Sequence, residues 1–138
     1  MDIKNRYTRE IILTFEISTD LRGADLTDAD LTNADLTDAD LHRACLYGAD
    51  LTRAILTHAD LTRANLHGAD LTCTNLTWAD LRGADLTWAD LTNADLTRAI
   101  LTNAVLTNAV LTNADLTRAI LTERGEMALP RTKLVASN

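Results

Sequence analysis

An all-β solenoid, a chain wound into stacked coils, is the fold class this sequence predicts, and three observations predict it. Leucine stands at every fifth position from Leu21 to Leu121, twenty-one times without exception. The residue two before each leucine is alanine at nineteen of the twenty positions from Ala24 to Ala119, with Thr74 the exception. Finally, a five-residue step suits no regular element. On an α-helix it rotates each leucine by roughly 140° from the last and scatters the set around the cylinder. In a straight strand an odd step flips each leucine to the opposite face. Both arrangements leave half the leucines in water. If the backbone instead turns once per repeat, every leucine points to a common axis, and alanine marks a second inward position restricted to a small side chain.

The elements follow in chain order. Residues 1–19 leave the register, because Ile12 and Ile17 are five apart whereas Ile17 and Leu21 are four apart, so this segment is expected to form a cap. Within it, residues 3–8 and 11–16 read as two short β segments around Arg9 and Glu10 that cover the first coil. Residues 20–122 are the repeat body, and residues 123–138 a C-terminal cap or tail. Gly125 and Pro130 interrupt the pattern there, while Met127, Leu129, Leu134 and Val135 give the tail apolar character. The outward position that is usually acidic becomes Ile100, Val105, Val110 and Ile120 in four of the last five repeats. An exposed apolar cluster of this kind marks a contact. Either the tail folds back over it or a second copy of the chain meets it in a homodimer.

Alanine at the first position of the repeat, Asp or Asn at the second and Leu at the third closely resemble the pentapeptide-repeat proteins, over about three quarters of the chain. The resemblance implies a right-handed quadrilateral β-helix of four repeats per coil. The twenty-one repeats then form about five coils, a rod roughly 25 Å long at the usual strand spacing. Residues twenty apart would stack in columns on its outer walls.

Composition limits what those walls can do. Thirteen Lys and Arg against twenty Asp and Glu give a formal charge of −7. That balance argues against direct binding of nucleic acid, whose phosphates require clustered cations. It points instead to a protein partner with a basic surface. Cys45 and Cys73 lie 28 residues apart with no CxxC pairing, so neither a disulfide framework nor a zinc site is indicated. No apolar run reaches signal-peptide or membrane-span length, and a cytoplasmic, soluble protein with no membrane contact is expected.

Charge is spread unevenly over the expected walls. One carries Asp20, Asp40, Asp60 and Asp80 balanced by Arg22, Arg43, Arg63 and Arg82. Another carries Asp30, Asp50, Asp70 and Asp90 with only Arg53, and the wall before it carries Asp25, Asp28 and Asp85. Stacked carboxylates repel, so the ladder Asp30, Asp50, Asp70, Asp90 needs a reason. The structural one is that each Asp accepts a backbone N–H at its turn; the functional one is a docking wall for a basic partner or a weak hold on cations. Within the family, members of the fluoroquinolone-resistance branch resemble duplex DNA in shape and charge and bind DNA gyrase or topoisomerase IV. This chain departs from that branch in having no loop insertion, a short rod and one neutralised wall.

Tyr47, His67 and Trp88 fall on one wall, with Gly48 and Gly68 in the column beneath Trp88, so the indole is expected to lie across those glycines. Exposed aromatics are enriched at interface hot spots, which makes this patch the best side-chain candidate for a partner contact. Trp78 falls on another wall. Sixteen of the twenty-one residues after Leu are threonine, which is similar to ice-binding β-solenoids. β Propensity accounts for them equally well, and the charged neighbours spoil a flat ice-binding face. His42, His58 and His67 project from three walls and assemble no nucleophile, base and orienting acid. His42 and Cys45 share a corner but are only two ligands. No catalytic residue, metal site, cofactor or phosphate loop is read. The sequence thus predicts a non-enzymatic structural or protein-interaction module, with gyrase or topoisomerase inhibition as the alternative and ice binding a distant third.

Overall fold

The five-residue step with leucine at its centre is solved by a repeating turn. The computed structural model describes residues 2–5, 11–14 and 20–121. From Leu21 to Leu116 each Leu C=O accepts the N–H of the residue three on, Thr74 after Leu71 and Ala after every other, as Ala64 N–H does to Leu61 C=O at 3.0 Å. This closes a β-turn whose third residue has positive φ. That residue lies near φ +60° at every resolved turn from Gly23 to Arg118, and only Gly23, Gly48, Gly68 and Gly83 are glycines. The others include Arg53, Cys73, Trp78 and Trp88, residue types for which the left-handed region costs roughly 1–2 kcal/mol each. The closed coil therefore overrides local preference at position after position.

Between turns, each second-position residue forms a parallel bridge to the residue twenty further on, from Asp20 with Asp40 to Ile100 with Ile120. Four repeats thus make one winding. One repeat from the middle of the body shows the pattern. Asp60 N–H donates to Ala39 C=O at 2.9 Å, Leu61 N–H to Asp80 C=O at 2.8 Å and Arg63 N–H to Arg82 C=O at 2.9 Å. Ala64 N–H closes the turn. The remaining donor, Thr62 N–H, is reached by no carbonyl and is taken by the Asp60 side chain at 2.8 Å. A buried or half-buried backbone donor must find a partner, and here the second residue of the repeat supplies it.

The interior is a continuous stack of Leu and Ala, fully buried from Leu41 to Ala99. Thr74, which replaces an alanine, is equally buried, and its hydroxyl donates to Leu51 C=O at 2.9 Å. One polar atom is admitted to the core because the coil beneath offers it an acceptor. Toward the end of the body Leu111, Ala114, Leu116 and Ala119 are only partly buried.

At the N-terminal end, strands β1 (Asp2–Asn5) and β2 (Ile11–Thr14) pair antiparallel, and β1 pairs antiparallel with β3 (Ala29–Asp30) of the first coil. The sheet order is β2-β1-β3. Strand β1 thereby gives the first coil's exposed edge a partner, where an open ladder would invite association. The rest of the expected segments 3–8 and 11–16, and the whole tail 123–138, lie outside the described residues. No helix among the described residues is long and apolar enough to cross a membrane.

Candidate functional site: the outer columns

The columns follow from the twenty-residue bridge. Asp30, Asp50, Asp70 and Asp90 form one unbroken ladder that continues into Val110. Each of its carboxylates accepts a backbone N–H two residues on: Thr32 at 3.2 Å, Thr52 at 3.0 Å, Thr72 at 2.9 Å and Thr92 at 2.9 Å. The Thr92 hydroxyl donates to Asp90 as well, at 2.6 Å. Asn65 and Asn75 make the same bond to His67 and Thr77 without a charge. The turn bond therefore does not require an anion, and after Ile55, Ile100, Val105 and Val110 the same turn closes with no side-chain acceptor at all, so the turn gives no reason for the charge of Asp70 and Asp90.

Hydrogen bonding also sets the acidity of several carboxyls outside this ladder. The side-chain bond from the Thr hydroxyl, then the backbone N–H of the same residue, holds Asp25, Asp35 and Asp115 below the ordinary carboxylate value. At Asp60 burial pushes the other way, but Thr62 and the nearby cations outweigh it and the value is lowered. At Asp20 the side-chain bond from Arg22 is the leading cause of a lowered value. Arg22 bridges Asp20 at 2.7 Å and Asp40 at 3.4 Å, and Arg82 binds Asp80 at 2.5 Å. These ion pairs lie on the wall read as balanced.

The aromatic residues divide differently from expectation. Tyr47 and His67 do come together, their rings stacked 5.2 Å apart and 5° from parallel. Trp88 does not lie across Gly68: apart from that glycine and its two chain neighbours, no heavy atom of the described residues comes within 4 Å of the point where its β-carbon would stand. The indole is 62% exposed. Stacking in these columns is side chain upon side chain at about the coil spacing, and glycine supplies no side chain to stack on. A second stack was not read from the sequence, although its signal was the same twenty-residue interval. His58 lies 6.0 Å from Trp78 with the rings 20° from parallel, and the Arg98 guanidinium sits 4.5 Å from the Trp78 ring centre.

The apolar residues of the last repeats are also distributed otherwise. Ile100 and Ile120 share a column, whereas Val105 continues the column of Asp85 and Val110 that of Asp90. They form a belt around the end of the body, with Val105, Val110 and Ile120 exposed and Ile100 half-buried. A patch on one face is not what the winding produces, because consecutive repeats occupy consecutive walls. His42 and Cys45 do not meet: His42 Nδ1 pairs with Thr62 Oγ1 at 2.6 Å, and the Cys45 thiol lies 3.2 Å from Thr27 Oγ1 and takes a long contact from Asn65. Among the described residues no three His, Cys, Asp or Glu side chains gather as metal ligands.

Comparison with known proteins agrees with this architecture. The family model for pentapeptide repeats matches residues 18–53, 49–87 and 84–122. Among solved structures, a pentapeptide repeat protein (Rfr23) from the cyanobacterium Cyanothece is 34% identical over 70% of this chain, with a TM-score of 0.52. The matched part spans 62% of that protein's length. A pentapeptide repeat protein of the Arabidopsis thaliana thylakoid lumen is likewise 34% identical, over 74% of this chain and 68% of its own, with a TM-score of 0.52. QnrB1, a plasmid-mediated fluoroquinolone resistance protein, is 18% identical over 87% of this chain and 72% of its own, with a TM-score of 0.43. No curated protein gives a significant match.

Proposed function

The chain belongs to the pentapeptide-repeat family, and from that premise we propose that it is a non-enzymatic protein-interaction module: a right-handed quadrilateral solenoid of about five coils whose acidic wall docks a protein with a basic surface. The observation that carries this reading is the ladder Asp30, Asp50, Asp70, Asp90, in which the turn bonds of Asp70 and Asp90 are ones that a neutral Asn makes elsewhere in the same molecule. Retaining like charges about one strand spacing apart costs on the order of 1 kcal/mol per adjacent pair even at the dielectric of water. An interaction with a basic partner offsets that cost and gains on-rate from complementary potentials.

The test replaces all four aspartates by asparagine, which keeps the turns and removes the charge. Native protein immobilised as bait captures a basic partner from a lysate of the source organism, and the neutralised variant loses it. Equal recovery on both baits would remove the acidic wall from the reading. The same ladder supports a second reading, a duplex-like decoy for DNA gyrase or topoisomerase IV. A supercoiling assay decides between them, since an interaction module of the first kind leaves gyrase uninhibited. The belt Ile100, Val105, Val110 and Ile120 is proposed as the self-association surface. Sedimentation of the Val105→Asp, Val110→Asp double variant should then show monomer where the native chain shows dimer.

A further inference from the structure

Two columns of this solenoid carry a tryptophan at the third turn position, and they end differently. In the column His58, Trp78, Arg98 the indole is filled in from both sides, by a ring one coil before it and a guanidinium one coil after. In the column Asp28, Gly48, Gly68, Trp88 the place corresponding to His58 is Gly68. Apart from Gly68 itself and its two chain neighbours, no described atom lies within 4 Å of the point where its β-carbon would stand. Trp88 is accordingly the more exposed indole, at 62% against 47% for Trp78, and among the described residues it has no ring or cation over it. One coil further back the column is closed by a carboxylate: Asp28 Oδ1 leans over Gly48, 2.5 Å from where a β-carbon on that residue would be. Successive levels of one column therefore hold an anion, an open place and an indole, about one strand spacing apart. The stacked Tyr47 and His67 rings occupy the neighbouring column beside it.

We propose that the open level over Gly68 receives an arginine side chain of the partner protein, its guanidinium held between the Trp88 indole and the Asp28 carboxylate. The inference rests on the reading of the chain as a module for a basic partner, and it adds the side chain recognised. A flat cation suits the gap for two reasons. The chain itself places a guanidinium against Trp78 in the equivalent column, and a flat, weakly hydrated guanidinium stacks on an aromatic ring, which a compact, strongly hydrated ammonium does poorly. An overall charge of −7 favours the approach of a cation.

The experiment titrates the full-length chain, labelled with nitrogen-15, with the capped peptide acetyl-Gly-Gly-Arg-Gly-Gly-amide while the two indole N–H resonances are followed. Trp88→Phe assigns them. Binding by one cation–π contact and one exposed ion pair is weak, so the titration runs to about 50 mM. The expected result is saturable movement of the Trp88 resonance with the Trp78 resonance still, an apparent affinity at least about threefold lower for the lysine peptide, and no movement with the glutamate peptide. Gly68→His puts at position 68 the residue that position 58 already carries at the same backbone geometry. It should fill the gap and weaken the arginine peptide at least about fivefold, with an unchanged Trp78 resonance reporting an intact fold. The proposal is overturned if the Trp88 resonance does not saturate, if both indoles move together, if lysine binds as well as arginine, or if Gly68→His binds like the native chain. Partner capture by the acidic wall that survives Gly68→His sinks the notch alone. A working notch on a chain that captures no basic protein sinks the module reading alone.

Discussion

Asp70 separates the two roles of the acidic ladder, because its turn bond and its charge can be removed independently. Its carboxylate accepts Thr72 N–H at 2.9 Å, and its bridge partners are Asp50 on one side and Asp90 on the other. Asp70→Asn keeps an acceptor of the kind Asn65 and Asn75 already provide, and removes a charge roughly 4.8 Å from each neighbour. Coulomb's law gives about 0.9 kcal/mol for each such pair at the dielectric of water. The asparagine variant should therefore match or exceed native stability, by up to about 2 kcal/mol in low salt for the two pairs together. Asp70→Ala removes the same charge and the bond, which contributes about 0.5–1.5 kcal/mol net, so it should fall about 1 kcal/mol below Asp70→Asn. Urea unfolding of the three proteins in low salt and in about 1 M salt measures both terms. The gap between native and asparagine closes as salt shortens the screening length to about 3 Å, whereas the gap between asparagine and alanine, two neutral residues, stays. If Asp70→Asn is as damaging as Asp70→Ala, the turn depends on the negative charge, and the argument that the ladder's charge is left for a partner collapses.

Three further outcomes are expected. The carboxyls of Asp20, Asp25, Asp35, Asp60 and Asp115 are held below the ordinary carboxylate value in the folded chain. Their contribution is therefore present above about pH 4 and lost as pH falls through the lowered native values; melting temperatures between pH 2 and 6 should drop on the acid side, and a rise there would mean that ladder repulsion dominates. Arg53 sits at φ 59°, so Arg53→Gly relieves roughly 1–2 kcal/mol of left-handed strain against about 0.5–1 kcal/mol of added chain entropy, for a small net gain in stability. Arg53→Val, β-branched at the same φ, should be clearly destabilising in the same melt. Of the two indoles Trp88 is the more open and Trp78 is stacked, so iodide should quench the native chain mainly through Trp88, and Trp88→Phe should remove most of the quenchable emission.

The Leu and Ala positions were sufficient to read a wound chain with an apolar axis, because burial is a periodic property and the period of five excludes the regular elements. The third turn position was less legible. Arg, Trp, Cys and His stand there at positive φ, against their local preference, since the closed coil supplies the conformation that the residue would not choose. The role of Asp60 and its counterparts in the turn was readable as a habit of the residue type. The donor it serves was not, because only the completed hydrogen-bond pattern leaves Thr62 N–H as the one that no carbonyl reaches.

Which outer residues share a column is arithmetic once the winding is known, yet what they do there is not. His58, Trp78 and Arg98 stack while Trp88 stands clear of Gly68, although both columns were written in the same twenty-residue interval. The sequence alone determined the scaffold, since inward positions answer to one demand, the exclusion of water. The tertiary structure decided the surface, because contact between side chains a coil apart depends on whether the intervening level carries a side chain that can fill it.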